Sequence, residues 1–464
     1  MNFFLYQKSI NKFIKEYTLK QVITVFSLAL ILSSISYQFF DLSSALGFIS
    51  GALTLLIISI LNTLFAKYFS NYFFGILNNP KDDLNQLSLT ASVEIILSSL
   101  ISTIALLTFY NFTESTHGLI LFLLGATLVS AFFHLGGLIY SGSLNLGFNL
   151  LIPSDVKIHK EDIKLLKTNS SVISKSLKVS SYLTDFTLSN LFILISLILL
   201  GLIKLPLVNN SYTLILVVIS FYIFSAFTFQ YTVKHELYKL ISLSLNDFIV
   251  DTKQLKTFKR FLTNTKINKV CCFAINLSNF FTLTKMVSLF FITVVFYDKV
   301  STSQSSISLV ELVGLVTGGL LVFVYLYIFS KQLNNLTSHF TSNATKQLKR
   351  LVRLNKNKER IDLSNILSLM IFKNQQKLTI PILTALSLTF FIQFYIGLSF
   401  IFGILVGVIF GSVLVSLLLE YNQNIVSESK IEVKNRLNYL PSNVIHSVLE
   451  LMILLSLIFS RVYR

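Results

Sequence analysis

Eleven apolar runs, each long enough to cross a lipid bilayer, decide what this chain can fold into. An α-helix rises about 1.5 Å per residue, so about 20 apolar residues span a hydrocarbon core of about 30 Å. The runs predict transmembrane helices at about 21–40, 45–66, 89–110, 119–141, 187–204, 212–232, 281–297, 309–330, 379–397, 399–419 and 444–460. The expected fold is therefore all-α, a single polytopic membrane domain over residues 1–464. The first run is too long, and too closely followed by the second, for a cleaved signal peptide. Small-residue pairs such as Gly136-Gly137 and Gly318-Gly319 fit close helix packing.

Composition supports the same class. Hydrophobic residues make up 53% of the chain and charged residues 13%, against about 25% charged in soluble domains. This excludes a disordered chain, a disulfide scaffold and an ordinary soluble enzyme. The two cysteines, Cys271 and Cys272, are adjacent and form neither a disulfide framework nor a zinc site. The net charge of +17 belongs in the loops on one side of a membrane rather than on nucleic acid. Abundant Lys, Asn, Ile and Phe reflect an AT-rich genome and carry no functional information.

The connecting segments alternate in charge. Of the 38 Lys and Arg residues, only Lys204, Lys299, Arg461 and Arg464 fall on one side. The positive-inside rule then puts the N-terminus in the cytoplasm (or matrix) and the C-terminus outside. The long segments 142–186, 233–280 and 331–378 all face the cytoplasm, where they are expected to continue as helices beyond the bilayer. The membrane is a bacterial plasma membrane or an organelle membrane.

Four stretches resemble one family. The run Leu123-Leu124-Gly125-Ala126-Thr127 to Phe132-Phe133-His134-Leu135-Gly136-Gly137-Leu138-Ile139-Tyr140 resembles an inner helix of membrane-bound pyrophosphatases. Residues 10–32, 417–430 and 440–459 resemble other stretches of that family, in the family's order. Such pyrophosphatases are homodimeric ion pumps of sixteen helices in two concentric rings. The resemblance implies a shortened member that lacks the first helix and four outer helices but keeps the inner ring of six, here helices 4, 5, 6, 7, 10 and 11.

The same resemblance implies that the hydrolytic site is lost. Hydrolysis of magnesium pyrophosphate needs carboxylates around the metal and a cation on the phosphate. Two family aspartates fall on Asn145 and Asn149, the phosphate lysine on Pro153 and the next acid on Asp155. Three further aspartates fall on Lys175, Val179 and Leu183, and another on Asn190. The gate glutamate falls on Ile193. Glu236 and Tyr238 match the family's Asp and Tyr, whereas the following Asp-Asn pair becomes Leu243 and Ser244. A metal-site aspartate falls on Asn268 and a lysine on Asn279. Near the C-terminus the equivalents are Glu428, Arg436 and Leu437, and the last gate lysine falls on Glu450. Lys175 and Lys178 are expected to repel Mg²⁺, so no cofactor is expected, and Mg²⁺ would matter only if hydrolysis were retained.

The ionisable residues inside the apolar runs carry two readings each. His446 and Glu450, at i and i+4, form either an intramembrane proton or ion path or an ordinary interhelical contact. Glu94 and Glu311 are expected near the interfaces and His134 in packing. The basic stretch 346–360 is either an anionic-lipid site or a plain positive-inside loop. The asparagines form a neutral polar cavity or mark drift after loss of catalysis.

Three functions follow. The first is a non-catalytic, pyrophosphatase-like membrane subunit, structural or regulatory, as a homodimer or within a larger membrane complex. The second is a transporter or channel that uses the inner-helix cavity without hydrolysis. The third is a pyrophosphate-energised pump with an altered site.

Overall fold

The structure, a computed structural model, describes residues 3–39, 41–76, 80–151, 160–202, 211–248, 284–285 and 287–292, with the single residues Val316, Lys346, Glu450 and Leu454. Six long helices fill it: α1 (Phe3–Phe39), α2 (Leu42–Ile76), α3 (Pro80–Thr113), α4 (Thr116–Leu151), α5 (Lys160–Leu202) and α6 (Ser211–Phe248). All six contain stretches long and apolar enough to cross a membrane. The spans expected at 309–330, 379–397, 399–419 and 444–460 lie outside the described residues, apart from Val316, Glu450 and Leu454.

The helices overrun the apolar runs. α5 has 43 residues, about 65 Å of helix, and begins at Lys160 rather than near 187. Its apolar stretch covers Ser171–Leu199. Proline placement permits such length. Of the five prolines, only Pro80 falls within a described helix, and it opens α3, where the missing N–H costs nothing. Serine and threonine side chains inside the helices bond back to their own turns. Thr127 donates to Leu123 O at 2.6 Å and Thr184 to Ser180 O at 3.0 Å. These hydroxyls therefore need no water.

Among the described residues, the turns before α2 and α4 are capped. Asp41 O accepts from Ser44 N and Ala45 N at the start of α2. Between α3 and α4 the chain reverses over Glu114 and Ser115. Glu114 takes a left-handed backbone with φ of 47°, and its N–H closes on Tyr110 O at 2.8 Å. Ser115 Oγ accepts from Gly118 N at 3.1 Å and caps α4.

α4 and α5 are the inner helices of the described part, buried through nearly all of their apolar stretches, whereas α1, α3 and α6 are buried over much less. Leu19, Ile23, Phe26 and Leu30 on α1, and Ile219, Ile223 and Phe227 on α6, form exposed apolar stripes at helical spacing. Such stripes suit lipid. α6, expected in the inner ring, is thus more exposed than α2, expected outside it.

α2 and α4 touch backbone to backbone. A Cβ on Gly51 would stand 1.9 Å from Phe122 O, one on Gly47 2.4 Å from Gly118 O, and one on Gly125 2.2 Å from Phe48 O. Gly47 and Gly51, four residues apart, make this a small-residue crossing of the kind that brings membrane helices together without large side chains.

Candidate functional site

The site is built on one face of α5. From residue 172 to residue 196 every described side chain is buried except Lys175, Lys178, Tyr182 and Asp185. Their spacing of i, i+3, i+7 and i+10 puts them on one face. An inner helix therefore carries a partly exposed polar stripe that descends from two lysines to an aspartate.

The depth of that stripe follows from Asn190. Its amide donates to Ser99 Oγ of α3 at 2.8 Å and accepts from Ser225 Oγ of α6 at 2.8 Å. Ser99 and Ser225 stand at the middle of the apolar spans Gln86–Thr113 and Val217–Lys234. Asp185 lies five residues from this layer along α5, about 7.5 Å, and Lys178 about 18 Å. In a bilayer centred there, with a half-thickness of about 15 Å, Asp185 is inside the hydrocarbon and Lys178 is at its edge.

At the upper end, Glu236 of α6 is 2% exposed and takes both lysines. Lys178 Nζ stands 2.9 Å from Glu236 Oε1, and Lys175 pairs with Oε2. Lys178 also lies 5.4 Å from the Tyr182 ring centroid, within cation–π range. Glu236 thus offsets one of the two positive charges. The repulsion expected from Lys175 and Lys178 is halved by this partner, because α6 runs beside α5 and returns an acid to the same level.

At the lower end, three charges meet. Lys285 Nζ donates to Asp185 Oδ1 at 2.5 Å and lies 3.0 Å from Glu450 Oε1. Lys285 is 2% exposed, Glu450 is 0% and Asp185 is 14%. One cation is therefore shared by two carboxylates, and only Asp185 meets the partly exposed stripe. Among the described residues neither Glu450 oxygen receives a hydrogen bond. The contact with Lys285 is close in distance but not aligned for one.

The positions singled out in the sequence scatter across this frame. Lys175 is on the stripe, and Glu450 is in the buried centre with Lys285 as its described partner. Asn190 is not at the stripe but in the interhelical hydrogen-bond layer. Val179, Leu183 and Ile193 are buried and apolar. Asn145, Asn149 and His134 lie on the C-terminal part of α4, and Glu94 is partly exposed on α3. Pro153, Asp155, Asn268, Asn279, Glu428, Arg436 and His446 lie outside the described residues.

Lys285 was legible only as one more positive residue of the inner face. Its role emerges from contacts 100 residues away in sequence. The single signal available was a lone lysine inside a run apolar enough to span, which is a functional candidate by default. Among the described residues no group of three or more His, Cys, Asp or Glu could hold a metal ion. Comparison with protein-family models and with curated proteins finds no match.

Proposed function

We propose that this chain is an integral membrane transporter or channel that moves an ion or small charged solute by way of the Asp185–Lys285–Glu450 centre, without hydrolysing pyrophosphate. The observation that carries the reading is the polar stripe on an otherwise buried helix, ending on three charges within the apolar layer. Charges there are expensive, and a purely structural role is met more cheaply by neutral contacts such as that of Asn190. In this reading the chain has about eleven transmembrane helices, its N-terminus is cytoplasmic, and Lys175, Lys178 and Glu236 form the cytoplasmic mouth. The arrangement in two rings, with an inner six, belongs to the same proposal.

The test is reconstitution into liposomes with a potential-sensitive dye. Ionic current above that of empty liposomes, lost in Glu450→Gln, supports the reading. Flux equal to empty liposomes refutes it.

A second reading is a non-catalytic, pyrophosphatase-like subunit, structural or regulatory, in a homodimer or larger complex. It is favoured by Asn190, where the resemblance implies an aspartate and where the amide links α3, α5 and α6. That reading predicts no Mg²⁺-dependent phosphate release from pyrophosphate and recovery in a stable assembly after mild detergent extraction. Phosphate release well above a no-protein control would instead show that hydrolysis is retained, as a pyrophosphate-energised pump requires.

A further inference from the structure

Four polar atoms at one level of the bundle make no hydrogen bond among the described residues. Gln21 of α1, Ser59 of α2 and Ser130 of α4 are each 0% exposed. Neither amide atom of Gln21 and neither serine hydroxyl has a partner. Hydroxyls elsewhere on α2 and α4 bond back to their own turns, as those of Thr54, Thr63 and Thr127 do.

Contacts between the helices bring the three residues level. α2 and α4 run parallel, with Gly47 against Gly118 and Gly51 against Phe122. Ser59 and Ser130 each stand eight residues beyond the second contact, so they stay in step. α1 runs antiparallel to α2, and Asn11 Nδ2 donates to Asn71 Oδ1 at 3.2 Å. Ten residues on, Gln21 comes level with Leu61, about 3 Å along the axis from Ser59. The faces agree. Ser59 shares a face of α2 with Phe48 and Ala52, whose backbone meets Gly125 of α4. Gln21 lies one turn beyond Tyr17, whose hydroxyl donates at 3.5 Å to Phe133 O, one turn beyond Ser130. Gln21 and Ser59 are near the middle of the apolar spans Ile10–Ile35 and Leu42–Phe73.

Burying an amide and two hydroxyls without partners is costly. Neighbouring polar groups of the same layer are taken by one another. Asn62 is hydrogen-bonded to Thr184 at 3.0 Å, and Asn190 links Ser99 with Ser225. The unmet capacity at Gln21, Ser59 and Ser130 is neutral and mixes donors with acceptors. Mg²⁺ or Ca²⁺ wants carboxylates, and this set offers none. Water fits it, since a buried water makes about three hydrogen bonds and both donates and accepts.

We infer that Gln21, Ser59 and Ser130 bind internal water at mid-depth in the membrane, where it bridges α1 to α2 and α4. Water is held there whether or not the chain moves an ion.

Radiolytic hydroxyl labelling of the full-length protein in lipid, read by mass spectrometry, tests this. Radicals form from bound water and mark the side chains beside it. Tyr17, 1% exposed and one turn from Gln21, should be labelled in the parent. Phe122, 0% exposed at the tight α2–α4 contact, should not. Gln21→Leu should remove most of the Tyr17 label, and so, independently, should Ser59→Ala combined with Ser130→Ala. Thr127→Val should leave it, because that hydroxyl is served by its own turn. Unfolding in SDS gives a second readout. Gln21→Leu should lower the midpoint, because a bridge between helices is lost. A Tyr17 label that is absent from the parent, or that survives either variant, overturns the inference. So does a raised midpoint in Gln21→Leu, the sign of an amide buried dry.

Discussion

Replacing Lys285 with Met removes the cation that Asp185 and Glu450 share while keeping most of the side-chain volume. Asp185 and Glu450 then both lose the ammonium they share. At 2.5 Å and an effective dielectric constant of about 20, the lost attraction is of order 6 kcal/mol. Desolvation of the lysine offsets part of this, and breaking buried pairs costs about 3–5 kcal/mol in practice. The chain has no Trp, so unfolding is best followed by far-UV circular dichroism during SDS titration in mixed micelles. The expected result is a loss of about 3–4 kcal/mol near pH 7. Adding Asp185→Asn should restore part of it, because one carboxylate fewer is then stranded. A loss below about 1 kcal/mol near pH 7 would refute the reasoning.

Other positions give independent checks. Gly51→Ala drives a Cβ to within 1.9 Å of Phe122 O; since a backbone atom cannot turn aside, the same titration should show a loss of about 1–3 kcal/mol or more. Asn190→Leu removes two interhelical hydrogen bonds yet should cost only about 1.2 kcal/mol, at about 0.6 for each, and less than about 2. Asn190→Asp puts a carboxylate in the middle layer and should cost about 2.5–3.5 kcal/mol. Glu236→Gln leaves Lys175 and Lys178 facing each other. It should destabilise by about 1.5–3 kcal/mol, and the loss should ease as added salt screens the two lysines, which are 12% and 27% exposed.

How much of this could be read in advance depended on whether the signal was local. Apolar runs of spanning length announce helices because lipid leaves the backbone no other partner, and α1 to α6 sit on the first six of them. Helix ends were harder. Residues 160–186 of α5 alternate Lys and Ser with Leu, Ile and Val, a pattern that averages to a polar segment. Its faces separate only when the i, i+3, i+7, i+10 spacing of Lys175, Lys178, Tyr182 and Asp185 is followed. The Gly47–Gly51 crossing was equally visible as a four-residue interval, but its partners Gly118 and Phe122 were not. Glu236 stood out by its resemblance to a family acid. Lys285 did not, because a single lysine within an apolar run fits an interface as well as a buried pair. Only packing brings residues 185, 285 and 450 together, and no local pattern encodes separations of that size.

The central claim is that the buried charges of this chain serve movement of an ion rather than scaffold integrity. The most direct measurement is proton uptake into liposomes that hold the purified protein and a trapped pH-sensitive dye, driven by an inside-negative potassium diffusion potential. Parent liposomes should acidify faster than empty ones, and Glu450→Gln liposomes, at equal protein content and helicity, should match the empty ones. Parent liposomes no faster than empty ones, or an undiminished rate in Glu450→Gln, would contradict the account.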